Sequence, residues 1–168
     1  GSEDEPMMGM GQGSSAAAPA FSVTSLLQTN AYQRRGHCEP VFSAWSGLLL
    51  ILAAIIYVDD TDLLHSPPFP GLPLTNLVQW TQTATTCWAN LLRASGGNLK
   101  PTKCYWYLMS YKFINGIPML RTKEDLSQYT LSIPQPDTSQ TPIELLGPSC
   151  PSKVLGVWST PAGDSSRM

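Results

Sequence analysis

The alternation of apolar and polar residues predicts two helices in the first hundred residues. One is predicted to begin near Ser15 or Pro19 and to end at Gly36, with Arg34 and Arg35 in its last turn. Its apolar stripe would be Phe21, Val23, Leu26, Leu27 and Ala31. The second is predicted over residues 75–94, before the helix stop at Gly96–Gly97. Its stripe would be Leu77, Thr81, Ala84, Trp88 and Leu91.

Residues 47–58 form a twelve-residue run without a charged side chain. A helix that crosses a membrane needs about 20 apolar residues, so this run predicts no membrane partner. Continuous apolar character over such a length is typical of a strand buried on both faces. The strand would end at a turn formed by Asp59–Asp60, and residues 61–65 would return as a second strand.

The second half of the chain contains short strand signals separated by turns. Residues 103–120 predict a hairpin around Asn115–Gly116. Residues 121–151 are rich in proline without clear periodicity and predict a loop, and a short strand is expected at 153–158. Together these elements predict an α+β fold in which helices pack on one face of an antiparallel sheet.

Composition excludes two classes of protein. Hydrophobic residues make up 42% of the 168 residues, which is too many for a disordered tail. The net charge of −2 does not fit a strongly basic nucleic-acid module. Only 13% of the residues are charged, against roughly a quarter in ordinary soluble domains, so we expect the chain to be a part of a larger protein.

The four cysteines are widely and irregularly spaced, at positions 38, 87, 104 and 150. This spacing favours neither a zinc site nor a disulfide scaffold. Free thiols in a reducing compartment are the simpler interpretation, which predicts an intracellular protein, cytoplasmic or nuclear.

Asp59 and Asp60 follow the most hydrophobic strand in the chain. Adjacent carboxylates repel each other, and a divalent cation, Mg²⁺ or Mn²⁺, would compensate that repulsion. Aspartate is also common in turns, so position alone is equally compatible with an ordinary turn.

Four motifs in sequence resemble those of reverse transcriptases. Tyr57-Val58-Asp59-Asp60 resembles the Tyr-x-Asp-Asp motif of that family. Upstream, Gln12-Gly13-Ser14 resembles its Gln-Gly loop, and downstream, residues 97–104 resemble its Gly-x-Leu-x-x-x-Lys motif. Residues 153–157 resemble its Lys-x-Leu-Gly hairpin. The resemblance covers residues 7–158.

The resemblance implies a polymerase palm. Residues 9–120 would form the palm-like core, after a lead-in at 1–8, and the Pro-rich loop at 121–151 would be followed by a primer-grip strand and polar end at 152–168. Asp59 and Asp60 would bind the catalytic metals, and Lys103 would approach the nucleotide phosphates. Contacts to template and nucleotide would come from Gln12, Gly13 and Ser14, and contacts to primer from Tyr57, Val58, Leu155 and Gly156.

The implied reaction is template-directed DNA synthesis with Mg²⁺ or Mn²⁺ as cofactor. The implied partners are an RNA or DNA template with its primer, deoxynucleoside triphosphates, and other domains of a retroelement-like polyprotein.

The chain departs from the family pattern in several places. The metal-binding Asp that the family carries upstream of the Gln-Gly loop has no counterpart, because only Glu3, Asp4 and Glu5 precede Gly9. Pro19 falls about one residue late, and most of the fingers and thumb are absent. We therefore expect the parent protein to polymerise and this chain alone to be inactive. The alternative is a decayed or repurposed palm that only binds nucleic acid or a protein.

Three further features each have two interpretations. Arg34, Arg35 and His37 could contact phosphate, but a solvated helix end accounts for them better. His65 could approach the metal site or be an ordinary turn residue. Trp80 and Trp88 are two helical turns apart, which favours core or sheet-facing positions over a base-stacking platform.

Overall fold

The computed structural model describes residues 15, 17–57, 60–67, 69, 71–154 and 157–163. The chain divides into two compact units, Gly1–Leu99 and Lys100–Met168, here called unit 1 and unit 2. The fold is mixed α+β, as predicted from the sequence. In place of the single antiparallel sheet that was expected, the described strands form several small sheets.

Unit 1 contains two α-helices and two β-hairpins. In chain order its elements are α1 (Ala17–Arg34), β1 (Glu39–Phe42), β2 (Leu49–Leu52), β3 (Ala54–Tyr57), β4 (Asp60–Leu63) and α2 (Leu74–Ala94). β1 pairs antiparallel with β2, and β3 pairs antiparallel with β4.

Both predicted helices are confirmed, and a glycine in the left-handed region lies just beyond each. Gly36 has a φ of 83° and Gly96 a φ of 89°, a conformation in which a side chain is strained. Within α2, Leu77, Ala84 and Trp88 are buried, as the stripe predicted.

The apolar stripe predicted for α1 is wrong. Phe21, Val23, Leu26 and Leu27 are all exposed. The buried residue of α1 is Tyr32, near its C-terminal end. Apolar spacing indicates which residues share a helix face but not which part of that face meets the core.

The strand predicted over residues 47–58 is also wrong. The run is divided between two hairpins, because β2 pairs with β1 whereas β3 pairs with β4, and Ala53 lies between them. Leu49, Leu50 and Ile51 are exposed instead of buried on both faces.

The core of unit 1 is a small cluster in which α1 meets α2. Its fully buried members are Tyr32, Ala53, Ala84 and Trp88. The rings of Tyr32 and Trp88 meet edge to face, with centroids 5.3 Å apart, a favoured aromatic geometry. Trp88 is therefore a core residue, as predicted, whereas Trp80 is 41% exposed and is not.

Unit 2 is built of short strands and two 3₁₀ helices, Pro101–Lys103 and Glu124–Leu126. Its strands are β5 (Tyr105–Tyr107), β6 (Tyr111–Ile114), β7 (Ile117–Leu120), β8 (Leu131–Pro134), β9 (Gln140–Leu146), β10 (Ser152–Val154) and β11 (Val157–Ser159). The buried side chains of unit 2 include Trp106, Leu108, Leu126, Leu131, Ile133 and Leu145.

The hairpin predicted within residues 103–120 is shorter than expected. Its turn at Asn115–Gly116 is confirmed, with φ values of 51° and 78° that match the turn type Asn-Gly favours. The strands it joins are β6 and β7. β5 does not belong to this hairpin, because it pairs in parallel with β9.

The loop predicted over residues 121–151 contains two strands. β8 and β9 pair antiparallel, although Pro134 and Pro142 lie within them. Residues 152–159 form the hairpin β10–β11 in place of one strand, with 155 and 156 outside the described residues. Across the described part of the chain, no helix combines the length and the apolar character that crossing a bilayer requires.

Candidate functional site

The Asp-Asp pair singled out by the sequence lies where β3 passes into β4. β3 ends at Tyr57, β4 begins at Asp60, and these two residues are paired across the hairpin. Only residues 58 and 59 connect the strands. Asp60 is exposed, whereas Val58 and Asp59 lie outside the described residues.

A second carboxylate accompanies Asp60 on β4. Because side chains alternate along a strand, Asp60 and Asp62 point to the same face. Burial, followed by the negative charge of Asp60, raises the pKa of Asp62 above its usual range. This arrangement creates a negative potential that a cation would relieve. Within the described ranges, no group of three His, Cys, Asp or Glu side chains is placed to hold a metal ion.

His65, just beyond β4, joins a partly buried polar cluster. Its Nε2 lies 2.9 Å from Tyr32 Oη on α1. Its Nδ1 lies 3.8 Å from Glu39 Oε1 at the start of β1. Ser66 Oγ donates a hydrogen bond of 2.5 Å to Glu39 Oε2. We call Tyr32, Glu39, His65 and Ser66 the tyrosine–histidine cluster.

His37 packs beside this cluster. Its ring centroid is 4.9 Å from that of Tyr32 and 6.3 Å from that of Trp80. Burial, together with the charge of Arg35, lowers the pKa of His37. Burial lowers the pKa of His65, Glu39 opposes that shift, and His37 adds to it. Both imidazoles are therefore held neutral at pH 7.

The tyrosine–histidine cluster positions the Asp-bearing hairpin. It joins the residues that follow β4 to α1 and to β1, so the returning strand is attached to the core of unit 1. His65 follows β4, and its ring lies between Tyr32 and Glu39. One signal in the sequence could have found the cluster, because Glu39 is the only acidic residue between positions 6 and 58.

The three basic residues at the end of α1 differ in burial. Arg34 and Arg35 are exposed whereas His37 is buried. A cleft of about 400 Å³ is lined by residues of α2 together with Arg35 and His37. The exposed arginines agree with the interpretation of a solvated helix end.

The other predicted site residues are distributed as follows. Lys103 is exposed at the end of the 3₁₀ helix that begins unit 2. Gln12, Gly13, Ser14, Leu155 and Gly156 lie outside the described residues. Tyr57 is described by its backbone, as the last residue of β3.

Comparisons of the chain with protein-family models, with curated proteins and with solved structures find no match.

Proposed function

We propose that the chain is the palm part of a reverse transcriptase, an enzyme that transfers nucleotides to a primer under the direction of a template. The observation that carries the proposal is the two-residue connection between β3 and β4. Tyr57 and Asp60, the first and last residues of the Tyr-x-Asp-Asp motif, are paired where β3 passes into β4, and a hairpin end is a position from which metal-binding carboxylates can approach substrate.

The order of elements around the other motifs supports the proposal. α1 follows the Gln12-Gly13 motif, and α2 ends at Gly96–Gly97. Lys103 comes next, on a short 3₁₀ helix, and the first two residues of the last motif, Lys153 and Val154, lie in β10, which pairs with β11.

The donor set is suited to Mg²⁺ or Mn²⁺. Carboxylate oxygen is the ligand that both ions prefer. The pKa of Asp62 is raised first by burial and then by the negative charge of Asp60, and a cation would neutralise that charge. Asp59 and Asp60 would hold the ion, which would supply charge stabilisation at the transferring phosphoryl group. Lys103 would bind phosphate oxygens as a point charge. The tyrosine–histidine cluster would keep the hairpin in place while substrates bind and leave.

Metal binding by the chain tests the proposal without requiring activity. Mn²⁺ would be titrated into the wild type, Asp59→Asn and Asp137→Asn, the last being a control in the exposed turn between β8 and β9. We expect Asp59→Asn to weaken Mn²⁺ binding at least tenfold and Asp137→Asn to leave it unchanged. Equal affinities in all three proteins would contradict the proposal.

A further inference from the structure

The two units differ in charge. Unit 1 carries three Lys and Arg residues against seven Asp and Glu, a net charge of −4. Unit 2 carries seven against five, a net charge of +2. The excess of positive charge is concentrated at the start of unit 2, because residues 100–123 hold five basic side chains and no acidic one.

The same stretch is rich in aromatic residues, and the fold uses them in two ways. Trp106 is buried within unit 2, and Tyr107 Oη donates a 3.0 Å hydrogen bond to the carbonyl of Cys150. Tyr105 is 37% exposed and its ring packs edge to face on that of Tyr107. Tyr111 and Phe113 are 58% and 73% exposed. Neither makes a ring contact with another residue in the described part of the chain.

Tyr111 and Phe113 lie on one face of the β6–β7 ribbon. They are two residues apart on β6, so their Cα atoms are about 6.6–6.8 Å apart along the strand and their side chains point the same way. Across the ribbon they face Leu120 and Pro118, which makes this face uncharged. The spacing lets each ring stack on a different base, because neighbouring stacked bases are about 3.4 Å apart.

One basic residue, Lys112, lies on the other face of the ribbon, and Arg121 follows its open end. Lys112 alternates with the aromatic residues and pairs with Asp125 at 2.6 Å. Arg121 follows β7, and its backbone N–H donates to the Ser110 carbonyl at 2.8 Å. Among the residues that the structure describes, Lys100, Lys103 and Arg121 have no ion-pair partner. A flexible anionic chain that crosses the aromatic face would find unpaired cations in the same unit.

We propose that the aromatic face of the β6–β7 ribbon, formed by Tyr111 and Phe113, binds single-stranded nucleic acid by base stacking, with phosphates attracted by the basic residues of positions 100–123. Exposed rings combined with positive charge are the features that sequence-independent binding of single strands requires. The exposed apolar ribbon β1–β2 of unit 1 lacks this combination, because residues 40–58 carry no charge. Tyr111 and Phe113 lie outside the four polymerase-like motifs, whereas Lys100 and Lys103 belong to the motif at residues 97–104. Stacking on the aromatic face does not depend on Asp59.

The test measures the affinity of the whole chain for a fluorescent twelve-nucleotide oligothymidylate by anisotropy, in EDTA and at low salt. We expect Phe113→Ala and Tyr111→Ala each to weaken binding about 5- to 150-fold. Ile117→Ala is the matched control, because Ile117 is 63% exposed on the opposite face of the same ribbon. It should bind like the wild type, and all variants should keep the wild-type melting temperature within a few degrees.

Two further variants separate stacking from general apolar contact. Phe113→Trp should bind at least as well as the wild type, since it keeps an aromatic ring. Phe113→Leu keeps the apolar side chain but loses the ring, and it should bind like Phe113→Ala. Lys100→Gln should reduce the slope of log K against log salt by about 0.7.

Several outcomes would overturn the inference. The first is that Phe113→Leu binds the oligonucleotide as tightly as the wild type, and the second is that the wild type does not bind it. The third is that Phe113→Ala abolishes self-association, or binding to lipid vesicles, instead of oligonucleotide binding. Because the assay contains no divalent metal, Asp59→Asn should bind the oligonucleotide normally. A failure of this surface and a failure of the proposed polymerase site are therefore distinguishable.

Discussion

The Tyr32 hydroxyl and His65 Nε2 lie 2.9 Å apart and join helix α1 to the segment that follows β4. The residues are 33 positions apart in the chain, and Tyr32 is fully buried. This contact attaches the Asp-bearing hairpin to the core of unit 1, so the geometry of the candidate metal site depends on a pair of residues outside it.

Tyr32→Phe should destabilise unit 1 by about 1–3 kcal/mol, because it removes one partner and leaves a buried histidine nitrogen without a hydrogen bond. Urea unfolding followed by tryptophan fluorescence measures the change. Tyr111→Phe is the control, since its hydroxyl lies on an exposed ring, and it should change the free energy of unfolding by less than about 0.5 kcal/mol. Equal effects of the two substitutions would show that the Tyr32–His65 contact contributes nothing.

Stability should fall in mild acid. His37 and His65 both have pKa values below 6.5 in the folded chain. The unfolded chain therefore takes up protons first as the pH falls through 6.5. The contribution of the two neutral histidines to the free energy of unfolding is complete above pH 6.5. It is lost as the pH falls toward the lower pKa values of the folded state.

The measurement is the free energy of unfolding between pH 8 and pH 5. The variant His65→Gln, which keeps a polar side chain but does not titrate, should show a smaller decrease than the wild type. If the free energy of unfolding of the wild type stayed constant or rose between pH 8 and pH 5, His37 and His65 would not be neutral, buried imidazoles.

Trp88→Ala should be the most damaging single truncation in unit 1. Trp88 is 4% exposed and packs on Tyr32, so removing it costs about 3–5 kcal/mol. Trp45→Ala removes the same side chain from a position that is 100% exposed, and it should change stability by less than about 0.5 kcal/mol. Thermal melts of the two variants decide whether the core lies where α1 meets α2.

Asp62→Asn should stabilise the protein at pH 7 in the absence of divalent metal. The pKa of Asp62 is raised in the folded state, so its stabilising contribution is present only in acid and is lost as the pH rises through that pKa. At neutral pH the charged side chain therefore lowers stability, and the amide removes that effect.

Magnesium should stabilise the wild type more than Asp62→Asn, and so act against the difference in stability between the two proteins. A cation bound at the β3–β4 hairpin would relieve the repulsion in the wild type, so MgCl₂ should raise the melting temperature of the wild type more than that of Asp62→Asn. An equal rise in the melting temperatures of the wild type and Asp62→Asn would show that the bound metal does not act on the charge of Asp62.

The sequence predicts the parts of this fold that local rules determine. Both helices end where glycine permits a left-handed residue, and Asn115–Gly116 forms the turn that its two residues favour. The pairing of distant strands is different, because it depends on tertiary packing that no local pattern contains. β5 pairs with β9, about 39 residues further along the chain, and both β8 and β9 lie where prolines predicted a loop.

In the candidate site, too, some features follow from the local sequence and others depend on tertiary packing. The position of Asp60 at a hairpin follows from an apolar run that ends in two aspartates. The tyrosine–histidine cluster does not follow, since it brings together residues from three separate segments. Burial on α1 does not follow from the sequence either, because Phe21 and Leu26 share the helix with Tyr32 but do not reach the core.

Primer extension tests the central claim most directly. The protein would be made together with any residues that its gene encodes before Gly1, and supplied with a primed RNA template, deoxynucleoside triphosphates and Mg²⁺. We predict template-directed extension that falls about a thousandfold or more in Asp59→Asn and is unchanged in Asp137→Asn. Extension at the wild-type rate in Asp59→Asn, or no extension by a protein whose upstream residues include an Asp-bearing strand, would contradict the assignment.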